Sequence, residues 1–360
     1  MKIVVDIGHP AHVHLFKNFV WEMEKRGHEI LITTSKKDVS IQLLDAYGFD
    51  YIHLGSYGFS IVRKIANIPV MDLRMYRAVK DFKPDIFVGL ASVRAAHVSR
   101  LIKKTSITFQ DTEPGIYQAK ILCIPFTDAI LTPSCFKKEL GKKQIRYDGY
   151  HELAYLHPNY FKPNPAILDE LGLSRDDTFI ILRFVGWRSP LEVGQHGIKN
   201  KKELVEEFEK YGRVFITSEG KLGEDLEKYK IKVSPEKLHD LLCYAKMLVG
   251  DSQTMTTEAG VLGTPAIRCN SFVGENDMGN FIELEQKYGL IFNYDDPNKA
   301  MEKAVGLIQK PNLKEEWKKK REELLKDKID VTAFMVRFIE NYPDSFKETK
   351  KNPGIQYRFK

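Results

Sequence analysis

Apolar residues along the chain fall into short runs, each broken by a polar cluster and followed by a stretch of helical period. Residues 2–7 form the first run, mostly β-branched, which closes at Gly8-His9-Pro10-Ala11-His12-Val13-His14. Leu15, Phe16, Phe19, Val20 and Met23 then share one face of a helix that Gly27 ends, and residues 29–33 make the next strand. This βαβ opening predicts a parallel sheet with ligands at the carboxyl ends of its strands. The alternation continues through a helix at 41–47 and strands at 50–54, 86–88, 106–109 and 128–131, and polar clusters fall where strands end. Between 147 and 165 the composition shifts to Asp148-Gly149-Tyr150-His151-Glu152 and then Pro158, Pro163 and Pro165, a linker with its boundary near residue 160. A second set of βα units follows, with strands at 179–182, 213–217, 231–233 and 290–292 and helices at 237–245, 279–288 and 298–308. A charged helix at 314–328, a final apolar helix at 331–339 and a polar tail from Asp344, expected to fray, complete the pattern.

One stretch organises the second half. Met247-Leu248-Val249 reads as a strand buried on both faces, and Gly250-Asp251-Ser252 turns the chain. Asp251 or Ser252 caps the helix that follows, about 253–262, which stops at Gly263 before Pro265 opens another strand. A helix N-terminus directly after a buried strand leaves unbonded N–H groups and a partial positive charge at the mouth of the sheet, where phosphate binds readily. Ser252, Thr254, Thr256 and Thr257 would let a diphosphate approach closely, and Glu258 would accept from ribose hydroxyls. An ordinary strand–turn–helix with a polar cap accounts for the same residues equally well. Arg183 and Arg188, at the end of the strand that opens at Phe179, are candidates to clamp phosphate, with a surface ion pair as the plain alternative.

The first half supplies candidates for proton transfer. His9, His12 and His14 have no acidic partner at ligand spacing, so a metal site is not indicated. A histidine at the end of the first strand instead suits a general base on an acceptor hydroxyl; a helix-start histidine that only orders its loop is the alternative. Asp111 and Glu113 are close enough in sequence to split their pKa values and act as acid and base, or to cap the helix at 116–122. Residues 59–70 mix aliphatics with two cations at roughly helical spacing; an amphipathic helix packed on the sheet is the better reading, a bilayer interface the other.

Composition narrows these readings. A chain of 360 residues is comfortable for two domains, and 43% hydrophobic with 29% charged residues is the balance of a soluble globular protein. A net charge of +6 suits anionic ligands and gives little support to nucleic-acid binding. Four cysteines without Cys-x-x-Cys spacing indicate neither zinc nor a disulfide framework, and no Gly-x-Gly-x-x-Gly marks a nicotinamide site. Lys2 and Asp6 bring charge too early for a signal-peptide core, and no apolar run approaches eighteen residues, so the cytoplasm is the expected compartment.

The central stretch resembles the donor-diphosphate motif of GT-B nucleotide-sugar enzymes, above all the UDP-N-acetylglucosamine 2-epimerases. Asp251, Ser252, Glu258, Ala259, Leu262, Gly263 and Pro265 match that motif at the same spacing, while Gln253 and Thr254 replace its paired glycines. The loop after the first strand is similar to that of the peptidoglycan N-acetylglucosamine transferase, with Gly8 on the first motif glycine, His12 on the family histidine and Gly27 on the glycine that ends the helix. In layout, including residues 149–155 and 109–113, the chain looks closest to an uncharacterised, largely archaeal family of the GT-B superfamily. The resemblance implies an α/β, GT-B architecture: two Rossmann-like doubly wound domains, 1–160 and 161–329, facing a cleft, a helix at 330–343 crossing back to the first, and the tail 344–360. It implies a UDP-linked donor as substrate rather than any cofactor, with Arg183, Ser234 beside the base, Ser252, Gln253, Thr254, Glu258 and Arg268 on the donor. A lipid-linked or glycan acceptor, with peripheral contact at the inner face of the membrane, goes with it; no oligomeric state is indicated. Asp111 and Glu113 lie where the epimerases carry a catalytic glutamate, whereas their His-Arg-Arg-Glu-Asn motif has no match: residues 183–188 stand there instead. Transfer is therefore the first expectation, with His12 as base; 2-epimerisation is the second, and nucleotide-sugar binding without turnover the third.

Overall fold

In the computed structural model, which describes residues 1–35, 39–58, 61–187 and 194–360, the chain divides into two compact units, Met1–Tyr160 with Lys328–Lys360, and Phe161–Asp327. The first unit holds seven parallel strands: β1 (Lys2–Ile7), β2 (Glu29–Thr34), β3 (Tyr51–His53), β4 (Ile86–Leu90), β5 (Thr105–Phe109), β6 (Ala129–Pro133) and β7 (Gln144–Tyr147). Their order is β3-β2-β1-β4-β5-β6-β7. Ile3, Val4, Val5, Phe87, Val88, Ile130 and Leu131 are buried because strands covered on both faces admit apolar residues at successive positions. Asp6 is the exception, and it matters below.

Helix Ile68–Val79 turns Met71, Met75 and Val79 onto Val4 and Phe87, leaving Val70 and Leu73 exposed. The packed helix foreseen around 59–70 is therefore displaced along the chain: Ile61–Ala66 is a separate short helix, Ile65, Ala66, Pro69 and Val70 are exposed, and the packed face begins only at Met71; Phe59 and Ser60 lie outside the described residues, as does Arg188.

The second unit holds β8 (Phe179–Phe184), β9 (Arg213–Ser218), β10 (Met247–Gly250), β11 (Ala266–Cys269) and β12 (Ile291–Tyr294), all parallel, in the order β12-β11-β10-β8-β9. The strand expected at 231–233 is not formed; only a single bridge joins Lys230 to Ile216. Ile231 and Val233 are half-buried between exposed Lys230-side and Lys232 positions, too short an apolar pattern to hold a ladder before Pro235. Chain order reverses between β1 and β4 in the first sheet and between β8 and β10 in the second. Open α/β sheets bind ligands at such reversals.

Residues 328–360 fold with the first unit. The Asp330 carboxylate caps helix Val331–Glu340 by accepting from the Ala333 N–H, and Thr332 donates to the Ala154 carbonyl. The expected frayed tail is corrected: Asp344–Lys351 is a helix and Pro353–Phe359 a 3₁₀ turn. Polar residues pack there because their polar atoms find backbone partners. Ser345 and Thr349 donate to the Phe338 and Ser345 carbonyls, and the Gln356 amide oxygen accepts the Asp148 N–H at 2.6 Å.

Candidate functional site

Each sheet gathers polar side chains at its own reversal. In the second unit, Ser252 leaves β10 in an extended conformation and its Oγ accepts the Met255 N–H at 3.4 Å, starting helix Gln253–Leu262. Gly263 ends that helix at φ 81°, a left-handed conformation that glycine adopts without a Cβ penalty. Ser252 is buried, while Gln253 and Thr254 on the first turn are half-buried. Thr256 and Thr257 donate back to the Ser252 and Gln253 carbonyls, so these hydroxyls serve the helix itself.

Asp251, beside the cap, is 2% exposed; its carboxylate accepts the Val185 N–H at 2.7 Å and the Trp187 Nε1–H at 3.2 Å. Burial pushes this carboxyl up to about 6, against the two hydrogen bonds and the more distant Lys201 and Arg183 charges. A Cβ on Gly197 would come within 2.0 Å of Asp251 Oδ2, so a backbone without a side chain covers the carboxylate there. Trp187, at φ 49°, stacks on Phe272 with centroids 6.1 Å apart. Arg183 at the end of β8 donates to Thr217 Oγ1 at 3.0 Å and pairs with Glu219.

Three further residues expected on the donor, Glu258, Arg268 and Ser234, are placed as follows. Glu258 is 4% exposed and its carboxylate lies 2.9 Å from His239 Nε2. Arg268 is fully buried, paired with Asp277 and lying 3.6 Å from the Phe281 ring centroid, a core cation. Ser234 is exposed ahead of the 3₁₀ turn Pro235–Lys237.

In the first unit, the reversal is built on Asp6 at the end of β1. It accepts from Thr33 Oγ1, from Ser92 Oγ after β4, and from Arg94 Nε and Nη2 at 2.8–3.0 Å, with Asp6 3% and Arg94 2% exposed. His9 Nδ1 accepts the Ala11 N–H and caps helix Pro10–Lys25; His12 Nδ1 accepts the Gly8 N–H at 3.2 Å. Asp111, just past β5, lies with Oδ2 2.8 Å from His151 Nδ1 and accepts from Thr112 Oγ1. Burial alone would raise the Asp111 carboxyl, but the His151 charge and hydrogen bond, the Thr112 bond and the nearby His12 charge hold it below the ordinary value. Glu113 is 5% exposed and accepts the Lys137 N–H at 3.1 Å, which ties down the segment after β6. Asp6, Arg94 and His151 were not among the sequence candidates. An acid inside the otherwise apolar β1 was a readable signal for the first two; nothing local marked His151 as a partner of a residue forty positions away.

Among the described residues no cluster of three or more His, Cys, Asp or Glu has a metal-holding arrangement, and no helix is long and apolar enough to cross a membrane.

Two parallel α/β units, each with polar groups at its chain reversal, define a GT-B fold of the glycosyltransferase and epimerase type. The chain belongs to the family described as a protein of unknown function, DUF354, whose model matches residues 1–338. It is 22% identical over 285 residues to an uncharacterized protein of Methanocaldococcus jannaschii, covering 75% of this chain and 82% of that one. Among solved structures it resembles UDP-GlcNAc 2-epimerase from Neisseria meningitidis bound to UDP-GlcNAc, with TM-score 0.63 and 14% identity over 95% of this chain and 100% of that one. The Streptomyces sp. SF2575 glycosyltransferase SsfS6, complexed with thymidine diphosphate, gives TM-score 0.61 and 16% identity over 94% and 99%. Likeness at this identity shows the fold.

Proposed function

We propose that the chain is a glycosyltransferase that takes its sugar from a nucleotide sugar, with uridine diphosphate as the carrier. The observation that carries this reading is the Ser252-capped helix start at the β8/β10 reversal, with Gln253 and Thr254 half-open on its first turn. Backbone N–H groups there, with Arg183 alongside, would hold the departing diphosphate without a metal ion. The histidine–carboxylate cluster of the first unit, His12 and Asp111 with their neighbours, would take the proton of an acceptor hydroxyl on a lipid-linked or glycan substrate. Epimerisation through Asp111 and Glu113 is less well supported, because the epimerases' His-Arg-Arg-Glu-Asn motif has no counterpart at residues 183–188.

The test is incubation with a panel of UDP- and GDP-sugars, with and without cell-lipid extract, products being resolved by mass and NMR. Release of free nucleotide only when acceptor is present is the expected result. An isomerised sugar at constant mass would replace transfer by epimerisation, and binding without conversion would leave a nucleotide-sugar-binding protein. UDP titrations of Ser252→Ala should show weakened binding, and an unaltered curve would count against the diphosphate site.

A further inference from the structure

We propose that one helix-covered face of the first unit is a docking surface for an anionic lipid bilayer. The strand order defines that face. From β3 the chain runs to β4, β5 and β6 in one direction across the sheet, whereas from β1 to β3 it runs the other way. Right-handed crossovers therefore set the helices between β3 and β6 on one face and those between β1 and β3 on the opposite one. On the first of these faces helix Ile61–Ala66 meets Ile68–Val79, which packs on Val93–Leu101. The 3₁₀ turn Ile124–Phe126 joins that helix to Ile116–Leu122.

Two independent features single this face out. The first is apolar exposure. Eleven large apolar side chains are exposed among the described residues, and eight of them, from Ile65 to Phe126, belong to these elements. Val70, Leu73 and Tyr76 stand at every third position along the open side of Ile68–Val79, whose other side buries Met71, Met75 and Val79. Tyr117 and Ile121, both 71% exposed, lie one turn apart on Ile116–Leu122, and Leu101 ends its own helix in the open. Exposed apolar residues scattered singly need no explanation, but gathered on one face they mark an interaction surface.

The second feature is charge. Residues 61–126 hold eleven Lys and Arg against five Asp and Glu, which is the chain's whole excess of +6; the rest of the chain carries forty-four of each sign. Of the five acids, Asp111 and Glu113 belong to the strand-end cluster, Asp72 faces His97 and Asp85 faces Lys104. Arg77, Lys80, Arg100, Lys103 and Lys120 are exposed and make no ion pair among the described residues.

Apolar tips set among cations on long stems suit an acidic bilayer. The aliphatic and aromatic groups enter the headgroup boundary, while ammonium and guanidinium groups stay among the phosphates. A second copy of the chain would bring the same positive face against itself, and like charges oppose that pairing. A nucleic acid offers phosphates but no apolar phase for Val70, Leu73 and Ile121. The surface uses none of the strand-end groups and does not depend on the transferase reading.

The test is co-sedimentation of the full chain with vesicles of phosphatidylcholine alone, and of phosphatidylcholine with about one third phosphatidylglycerol. Binding is expected with the second only, and added salt should weaken it by screening exposed charges. Leu73→Asp should lower the partition about tenfold, and Arg77→Gln combined with Lys80→Gln by a similar factor. Lys318→Gln combined with Lys319→Gln, at exposed positions of the second unit, should leave it unchanged. All these side chains are exposed, so urea midpoints should match the wild type and a lost partition would not reflect unfolding. Equal sedimentation with neutral vesicles, or none with either, would overturn the proposal. A dimer in ultracentrifugation that Leu73→Asp dissolves, without vesicle binding, would overturn it in favour of an interface between copies. Tight binding to a short DNA duplex that Leu73→Asp leaves intact would overturn it in favour of a nucleic-acid surface. Sedimentation reads docking without turnover, so an unproductive nucleotide-sugar panel would count against the transferase reading and leave this result standing.

Discussion

Two aspartates at strand ends, Asp111 in the first unit and Asp251 in the second, are shifted in opposite directions. Both are removed from bulk water to a large degree. Asp111 faces an imidazole and a hydroxyl, and its carboxyl titrates below the ordinary value; Asp251 has two neutral N–H donors close by and only distant cations, and burial pushes it up to about 6. Burial is common to both, and the charge of the nearest partner decides the sign. The same contrast separates the two reversals as wholes. The first is built of a buried ion pair, Asp6 with Arg94, and a carboxylate–imidazole contact, Asp111 with His151. The second presents backbone and hydroxyl groups at its helix start, pairs Arg183 with Glu219 at the end of β8, and buries a further ion pair, Arg268 with Asp277, in the core.

The most severe way to break the contrast is to remove one partner of a paired charge. Arg94→Met leaves Asp6 buried with only hydroxyl donors, and a buried charge stripped of its partner costs about 3–5 kcal/mol. Chemical denaturation should show that loss, and adding Asp6→Asn should restore part of it. If Arg94→Met melted like the wild type, the first reversal would not depend on charge pairing.

A smaller effect separates the two aspartates by pH. Asp251 has a folded pKa above its unfolded value, so its contribution to stability is present below about pH 4 and is lost as pH rises through about 6. The shift corresponds to about 3 kcal/mol across that window. Asp111 has the opposite sign: its contribution is present above the unfolded value and disappears as pH falls through the lower folded one. Asp251→Asn should therefore flatten the stability profile between about pH 4 and pH 6, and Asp111→Asn only the acid end. Identical profiles for both variants would refute the assignment.

The sequence made the second reversal more legible than the first. Strand, cap, helix and stop around Ser252 are local events: Ser252 bonds three residues ahead, and Gly263 takes the left-handed turn required directly after the helix. Where the burial of a side chain depends on distant elements, local pattern did not show it. Glu258 occupies the ribose-facing position by motif, yet His239, nineteen positions back, draws it inward. Arg268, expected on the donor, is fully buried between Asp277 and Phe281, neither of which its own neighbours in sequence reveal. His151 lay in a stretch read as linker; only the parallel order of β5, β6 and β7 brings it to Asp111. The tail failed for the same reason, since its polar residues find partners such as Asp148, two hundred positions earlier.

The mildest test asks whether the second reversal is held by its cap at all. Replacing an N-cap serine by alanine costs typically about 1 kcal/mol, and the 3.4 Å Ser252–Met255 contact is long, which places Ser252→Ala near the lower end, about 0.5 kcal/mol. Ser252→Gly should cost only a few tenths, since glycine also tolerates the cap position. Binding should respond differently from folding: both variants lose the hydroxyl, so both should weaken UDP in isothermal titration, while only alanine shifts the denaturation midpoint measurably. A midpoint shift without any change in UDP affinity would make Ser252 a cap and nothing more. The diphosphate would then have to be sought away from the start of helix Gln253–Leu262.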